Sequence, residues 1–139
     1  MKGRLAGCLS LALLAAACAG DGVIVLDEGP PPPQGPSLTE LQESIFTPQC
    51  AFEGCHAPPA QHGMNLTAGN TYANIVGVDA VELSPFKRVA PGNAADSYLY
   101  MKIAGDPRIA GERMPFGGIL TELEIEAVRT WIDAGALNN

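Results

Sequence analysis

Two cysteines followed directly by a histidine constrain this chain more than any other feature. They stand in the segment Cys50-Ala-Phe-Glu-Gly-Cys55-His56. Each thiol can add across one vinyl group of a porphyrin, and the adjacent imidazole can then bind the iron from one face. Four residues separate the cysteines, where the common attachment motif has two, so a longer loop must bulge between the two anchors. The order of residues predicts one covalently bound haem c.

Two other interpretations of the same segment stay open. A Cys50–Cys55 disulfide beside an incidental histidine would close a very small loop and stabilise the domain little. A zinc site formed by Cys50, Cys55, His56 and His62 is the other alternative. The pattern of strands and turns that is typical of a zinc finger does not accompany these residues.

The first residues have the composition of an export signal. Lys2 and Arg4 form a short basic region, and residues 5–17 are almost wholly apolar. This stretch is shorter than the roughly 20 apolar residues of a stable membrane-spanning helix. Small residues precede Cys18, as at a bacterial lipoprotein cleavage site. We therefore predict a signal peptide at 1–17 and a lipid on Cys18, with ordinary secretory cleavage near Ala19 as the alternative. Either way the protein leaves the cytoplasm, and the lipid would hold it on the periplasmic side of a bacterial membrane.

A proline- and glycine-rich tether is predicted at residues 18–36. It contains four consecutive prolines at 30–33. Prolines lack an amide donor and favour an extended, semi-rigid conformation, which suits a spacer between an anchor and a domain. The folded domain is then expected at residues 37–139.

The charge of the chain narrows the choice of partners. The sequence has 8 basic and 15 acidic residues, a net charge of −7. Removal of residues 1–17 would take away Lys2 and Arg4 and no acidic residue, which leaves a net charge of −9. Nucleic-acid binding needs a basic face and is therefore not expected. A protein partner with a basic docking patch suits this chain better, because opposite fields speed encounter.

Apolar periodicity predicts a small all-α domain of three to four short helices with long loops. Ser37 and Glu40 have capping-box spacing before the first helix, which Pro48 is expected to close. Thr121 and Glu124 repeat this spacing before the last helix. Shorter helices are predicted at about 70–76 and 96–104, and a sheet is not expected because no segment alternates convincingly with period two.

The predicted helices leave a physical problem that a cofactor would solve. About 100 residues arranged in several short helices bury little apolar surface for a stable domain. A buried haem would supply the missing core, and the loops would wrap it. The size of the domain therefore favours haem over a disulfide.

An electron-carrying haem iron needs a second axial ligand, and Met114 is the strongest candidate. Pro115 follows it and biases Met114 toward an extended conformation, in a loop rich in glycine. Thioether sulfur suits iron(II) and raises the reduction potential relative to a second histidine. Met64 lies close behind the first ligand, and Met101 is expected to pack inside a helix. His62 is an alternative second ligand, although it also lies near the first anchor.

Residues 37–139 resemble the monohaem class I cytochromes c, especially the cytochrome-c-like modules of exported bacterial proteins. The likeness rests on the cysteine–histidine segment and on the segments that begin at Arg88, Met114 and Trp131. It implies terminal helices that pack against each other. The residues expected to meet there are Leu41, Ile45, Val128, Trp131 and Ile132.

The residues and the resemblance together predict an exported electron-transfer protein. Cys50 and Cys55 would hold the porphyrin, and His56 and Met114 would be the metal ligands. Arg88 would pair with a haem propionate, and a solvated surface position is the alternative for it. With both axial positions occupied, substrates cannot reach the iron easily, so we do not expect an enzyme.

Two other functions remain as alternatives. One is a redox-silent lipoprotein binding module with a Cys50–Cys55 disulfide. The other is a haem-dependent peroxidase or sensor, which would require Met114 to leave the iron.

Overall fold

The computed structural model describes residues 35–139. The predicted signal peptide at 1–17, the lipid on Cys18 and most of the tether lie outside this range. Four helical segments and two short 3₁₀ turns make up the regular structure of residues 35–139, and their only β pairing consists of isolated bridges. The all-α prediction is confirmed for this part of the chain. None of the helices in this range is long and apolar enough to cross a bilayer.

The first helical segment changes its winding along its length. It consists of α-helical Leu38–Leu41, π-helical Gln42–Phe46 and α-helical Thr47–Gln49. Ser37 and Glu40 form the predicted capping box, each accepting a hydrogen bond from the backbone amide of the other. Pro48 lies inside the last turn rather than after it. The helix ends where the Cys50 amide donates to the Phe46 carbonyl over 3.0 Å.

Two shorter helices form the middle of the domain, Thr71–Ile75 and Tyr98–Ala104. The predicted start of the second of these, near residue 96, is wrong. Ser97 is extended, with φ −98° and ψ 116°, and it separates a 3₁₀ turn at Ala94–Asp96 from the helix. Its buried hydroxyl donates to the Asn93 carbonyl over 2.8 Å, a local bond that competes with helix formation.

The C-terminal helix, Glu122–Asp133, returns to the start of the domain. It begins at the predicted capping box of Thr121 and Glu124. The Thr39 amide donates to the Asn139 carbonyl over 3.0 Å, so the two ends of the domain are joined. One buried apolar cluster contains all five residues expected to meet between the terminal helices: Leu41, Ile45, Val128, Trp131 and Ile132.

Candidate functional site

A cavity of about 430 Å³ opens among the helices and their connecting loops. This volume lies within the roughly 300–1,000 Å³ that is typical of ligand and cofactor sites. Its apolar wall is formed by Ile45, Phe46, Leu66, Leu99, Ile103, Leu120 and Val128. These residues come from the first, third and C-terminal helices and from two loops, so the cavity is a product of the whole fold.

The side chains that the sequence predicts to bind a cofactor all line this cavity. They are Cys50, Cys55, His56, Arg88 and Met114. His62 and Met64 line it as well. Met101 does not belong to its wall: it is buried against Ala80 and Tyr98, which is the packing role predicted for it. The fold therefore brings the predicted set together from distant parts of the chain.

The loop between the two cysteines folds into a compact turn. The Phe52 carbonyl accepts the amides of Cys55 and Ala57 over 3.0 and 2.9 Å. Cys50 is partly buried against the core, Cys55 is exposed, and both are free thiols. The four residues between the thiols thus lie within a turn that starts and ends at the cavity.

The environment of Cys50 favours uncharged sulfur. Burial raises the pKa of its thiol to about 11, and repulsion from Cys55 and Glu124 acts in the same direction. Zinc binds cysteine as the thiolate and would have to displace the proton of this buried thiol. Residues 35–139 also contain no group of three or more His, Cys, Asp or Glu side chains arranged to hold a metal ion. A thioether, by contrast, is uncharged and suits this position.

His56 is oriented by a backbone carbonyl. Its Nδ1 lies 3.2 Å from the Met64 carbonyl oxygen, which can only accept, so Nδ1 carries the proton and Nε2 keeps a free electron pair. Burial lowers the pKa of His56 against this hydrogen bond, and electrostatic interactions with His62, Arg88 and Lys102 lower it further. A neutral imidazole with one nitrogen held by a carbonyl is the form that binds a metal.

The Met114 loop is bonded to the end of the third helix. The Met114 amide donates to the Lys102 carbonyl over 2.9 Å, and Nε of Arg113 donates to the Ile103 carbonyl over 2.8 Å. Met114 itself is partly buried and packs against the core cluster. These contacts hold its thioether at the cavity wall. Arg113 was not identified from the sequence, because its partner is a backbone oxygen.

Arg88 is buried, with 8% of its surface exposed, so the alternative of a solvated surface arginine is wrong. Its Nη2 donates to the His62 carbonyl and its Nη1 to the Asn74 carbonyl, each over 2.8 Å. The guanidinium therefore links the turn at Gln61–Gly63 to the second helix beside the cavity. Pairing with a propionate stays a prediction.

A charged cluster that the sequence analysis missed lines the same cavity. Glu82 lies 3.2 Å from Nζ of Lys102 and 3.6 Å from Nε2 of His62, and it accepts a hydrogen bond from the Tyr98 hydroxyl over 3.1 Å. Burial alone would raise the pKa of Glu82, but the bonds from Lys102 and Tyr98 hold it below its ordinary value. The signal in the sequence that could have revealed this cluster was Lys102, a lysine in the otherwise uncharged third helix. The cluster gives one part of an apolar cavity a polar lining.

The residues present fit a covalently held haem. One loop supplies two sulfurs and a neutral imidazole, and a second supplies a thioether sulfur that packs on the apolar core. Protein-family models, curated proteins and solved structures all gave no match to this chain.

Proposed function

We propose that this chain is an exported electron-transfer protein that carries one covalently bound haem c. The observation that carries the proposal is the convergence of Cys50, Cys55, His56 and Met114 on one cavity with an apolar wall. A haem bound there would supply an iron that gains and loses one electron. The protein would set the reduction potential through the ligands and through burial.

Each residue has a distinct role in this proposal. Cys50 and Cys55 form the thioether bonds that keep the porphyrin attached. His56 offers Nε2 to the iron, since its Nδ1 is held by the Met64 carbonyl. Met114 would offer its thioether sulfur to the iron as the second protein ligand. The loops that border the cavity wrap the cofactor, and the apolar wall keeps water from it.

The proposed location and partner follow from the sequence. Export and a lipid on Cys18 would place the domain on the periplasmic side of a bacterial membrane, with residues 18–36 as a spacer. Glu53 and Glu112 are exposed close in sequence to cavity-lining residues. They add to an acidic surface that suits a redox partner with a basic docking patch.

The test of the proposal is the mass and the absorption spectrum of protein exported in a host with haem-attachment machinery. The wild type should show a low-spin haem spectrum, a mass one haem above the polypeptide, and haem that resists acid–organic extraction. The double variant Cys50→Ala/Cys55→Ala is the control, and any haem that it binds should extract. Fully extractable wild-type haem would mean a noncovalent site. Haem-free protein with a disulfide would favour the redox-silent module.

A further inference from the structure

We infer that Arg88 positions the imidazole of His56 by holding a strained turn at residues 62–63. This inference rests on the proposed haem function and deepens it. The guanidinium would keep the Met64 carbonyl against Nδ1 of His56. Arg88 would then act on the iron ligand through the backbone, in addition to any contact with a propionate.

The turn contains two successive residues in the left-handed region. His62 has φ 52° and ψ 23°, and Gly63 has φ 62°. Residues with a side chain seldom adopt this conformation, and it persists where the surrounding structure holds it. Arg88 provides such a restraint, with Nη2 donating to the His62 carbonyl over 2.8 Å and Nη1 lying 3.5 Å from the Gly63 carbonyl.

Arg88 is itself firmly held. Its backbone amide donates to the Val78 carbonyl over 2.7 Å, and its carbonyl accepts the Leu99 amide over 2.9 Å. Besides its contacts with the turn, the side chain donates from Nη1 to the Asn74 carbonyl over 2.8 Å. A planar guanidinium can bond several carbonyls at once in a set geometry, which the point charge of a lysine cannot reproduce. Arg88 therefore connects the strained turn to the third helix.

The turn leads directly to the oxygen that orients His56. Met64 follows Gly63, and its carbonyl lies 3.2 Å from Nδ1 of His56. The Leu66 amide donates to the His56 carbonyl over 2.8 Å and closes the same loop. Movement of the turn would thus shift the Met64 carbonyl and expose Nδ1–H to water. Outer hydrogen bonds of this kind set the orientation and basicity of a ligating imidazole.

A matched pair of glycines tests this inference without changing Arg88. Gly63 has φ 62° and Gly69 has φ 80°, and a Cβ at either position would meet no atom within 4 Å. Alanine therefore introduces the same kind of backbone strain at both positions, but only Gly63 lies in the turn that Arg88 holds. The measurement is the solvent-exchange rate of His56 Nδ1–H, by NMR of the reduced, low-spin haem protein. Gly63→Ala should speed this exchange about fivefold, whereas Gly69→Ala should leave it unchanged.

Variants of Arg88 complete the test. Arg88→Lys keeps the positive charge but loses the planar guanidinium that bonds several carbonyls at once. It should speed the exchange of His56 Nδ1–H about tenfold or more. Adding His62→Gly should bring the rate back toward the wild-type value, because glycine relieves the strain that Arg88 offsets. Unchanged exchange in Arg88→Lys would overturn the inference and leave the propionate role alone.

Failure of this inference and failure of the proposed function give different results. Wild-type protein without haem would refute the proposed function. Wild-type protein with haem, together with equal exchange in Gly63→Ala and Gly69→Ala, would refute the role of Arg88 alone. If Arg88→Lys does not fold, the comparison of the two glycine variants decides the matter.

Discussion

Replacing Gln42 by alanine should loosen the joint between the first helix and the loop that carries His56. Gln42 lies in the π-helical stretch and is 8% exposed. Its Nε2 donates to the Leu66 carbonyl over 2.9 Å, and its Oε1 accepts the Thr71 hydroxyl over 2.6 Å. The Leu66 amide in turn donates to the His56 carbonyl. Gln42 therefore links the first helix, the second helix and the loop that carries His56.

The size of the effect follows from the groups that alanine would leave without these bonds. Leu66 and Thr71 are each 1% exposed, so water cannot readily replace the lost partners. A buried polar group left unpaired costs about 1–3 kcal/mol. The Thr71 hydroxyl keeps a long contact of 3.4 Å to the Thr67 carbonyl, which limits its share. We expect the free energy of unfolding to fall by about 2–3 kcal/mol, which lowers Tm on the order of 10–20 °C.

Urea denaturation of haem-loaded protein measures this change. The matched control is Gln61→Ala, since Gln61 is exposed and donates to the Gly54 carbonyl over 3.1 Å. The control should change the free energy of unfolding by no more than about 0.5 kcal/mol. A loss below about 1 kcal/mol in Gln42→Ala, or an equal loss in Gln61→Ala, would refute the reasoning.

Three further predictions concern the distal ligand, the anchor and pH. Met114→Ala should keep covalent haem, lose the weak near-infrared sulfur-to-iron band of the oxidised protein and lower the reduction potential. The control Met101→Ala should keep the band. Retention of the band in Met114→Ala would disprove the assignment of Met114 as an iron ligand. Cys18→Ser should release the domain from membranes or block its processing, and a wild-type protein that is already soluble and begins at a later residue would contradict the lipid anchor. The pKa of Glu124 is lowered by hydrogen bonds from the Thr121 amide and hydroxyl. The ionised Glu124 therefore stabilises the folded protein fully at a pH above the pKa that this carboxyl has in the unfolded chain. This stabilisation is lost as the pH falls through the lower pKa of the folded state. Thr121→Ala should therefore destabilise the protein at pH 7 and weaken this acid dependence in unfolding curves, and an unchanged acid dependence would speak against it.

Local chemistry was enough to predict the two capped helices and to select the candidate cofactor residues. The two capping boxes are read from residues three positions apart, and their hydrogen bonds form within one turn. The pairing of close cysteines with His56 is likewise contained in seven consecutive residues. Met114 could be chosen because its flanking residues restrict its backbone. The start of the third helix was misplaced, because the Ser97 hydroxyl has local bonds whose strength the periodicity does not reveal.

Tertiary structure decided which distant groups meet at the cavity. The convergence of Cys50, His56 and Met114 depends on contacts among three helices and two loops, and no local pattern specifies such contacts. The orientation of His56 depends on a carbonyl oxygen, which every residue possesses and which therefore leaves no mark in the sequence. The burial of Arg88 is likewise not visible in the sequence, because a charged residue of this type is usually expected at the surface. Only the folded chain shows it buried, because its partners are backbone oxygens that a turn and the second helix supply from elsewhere in the domain.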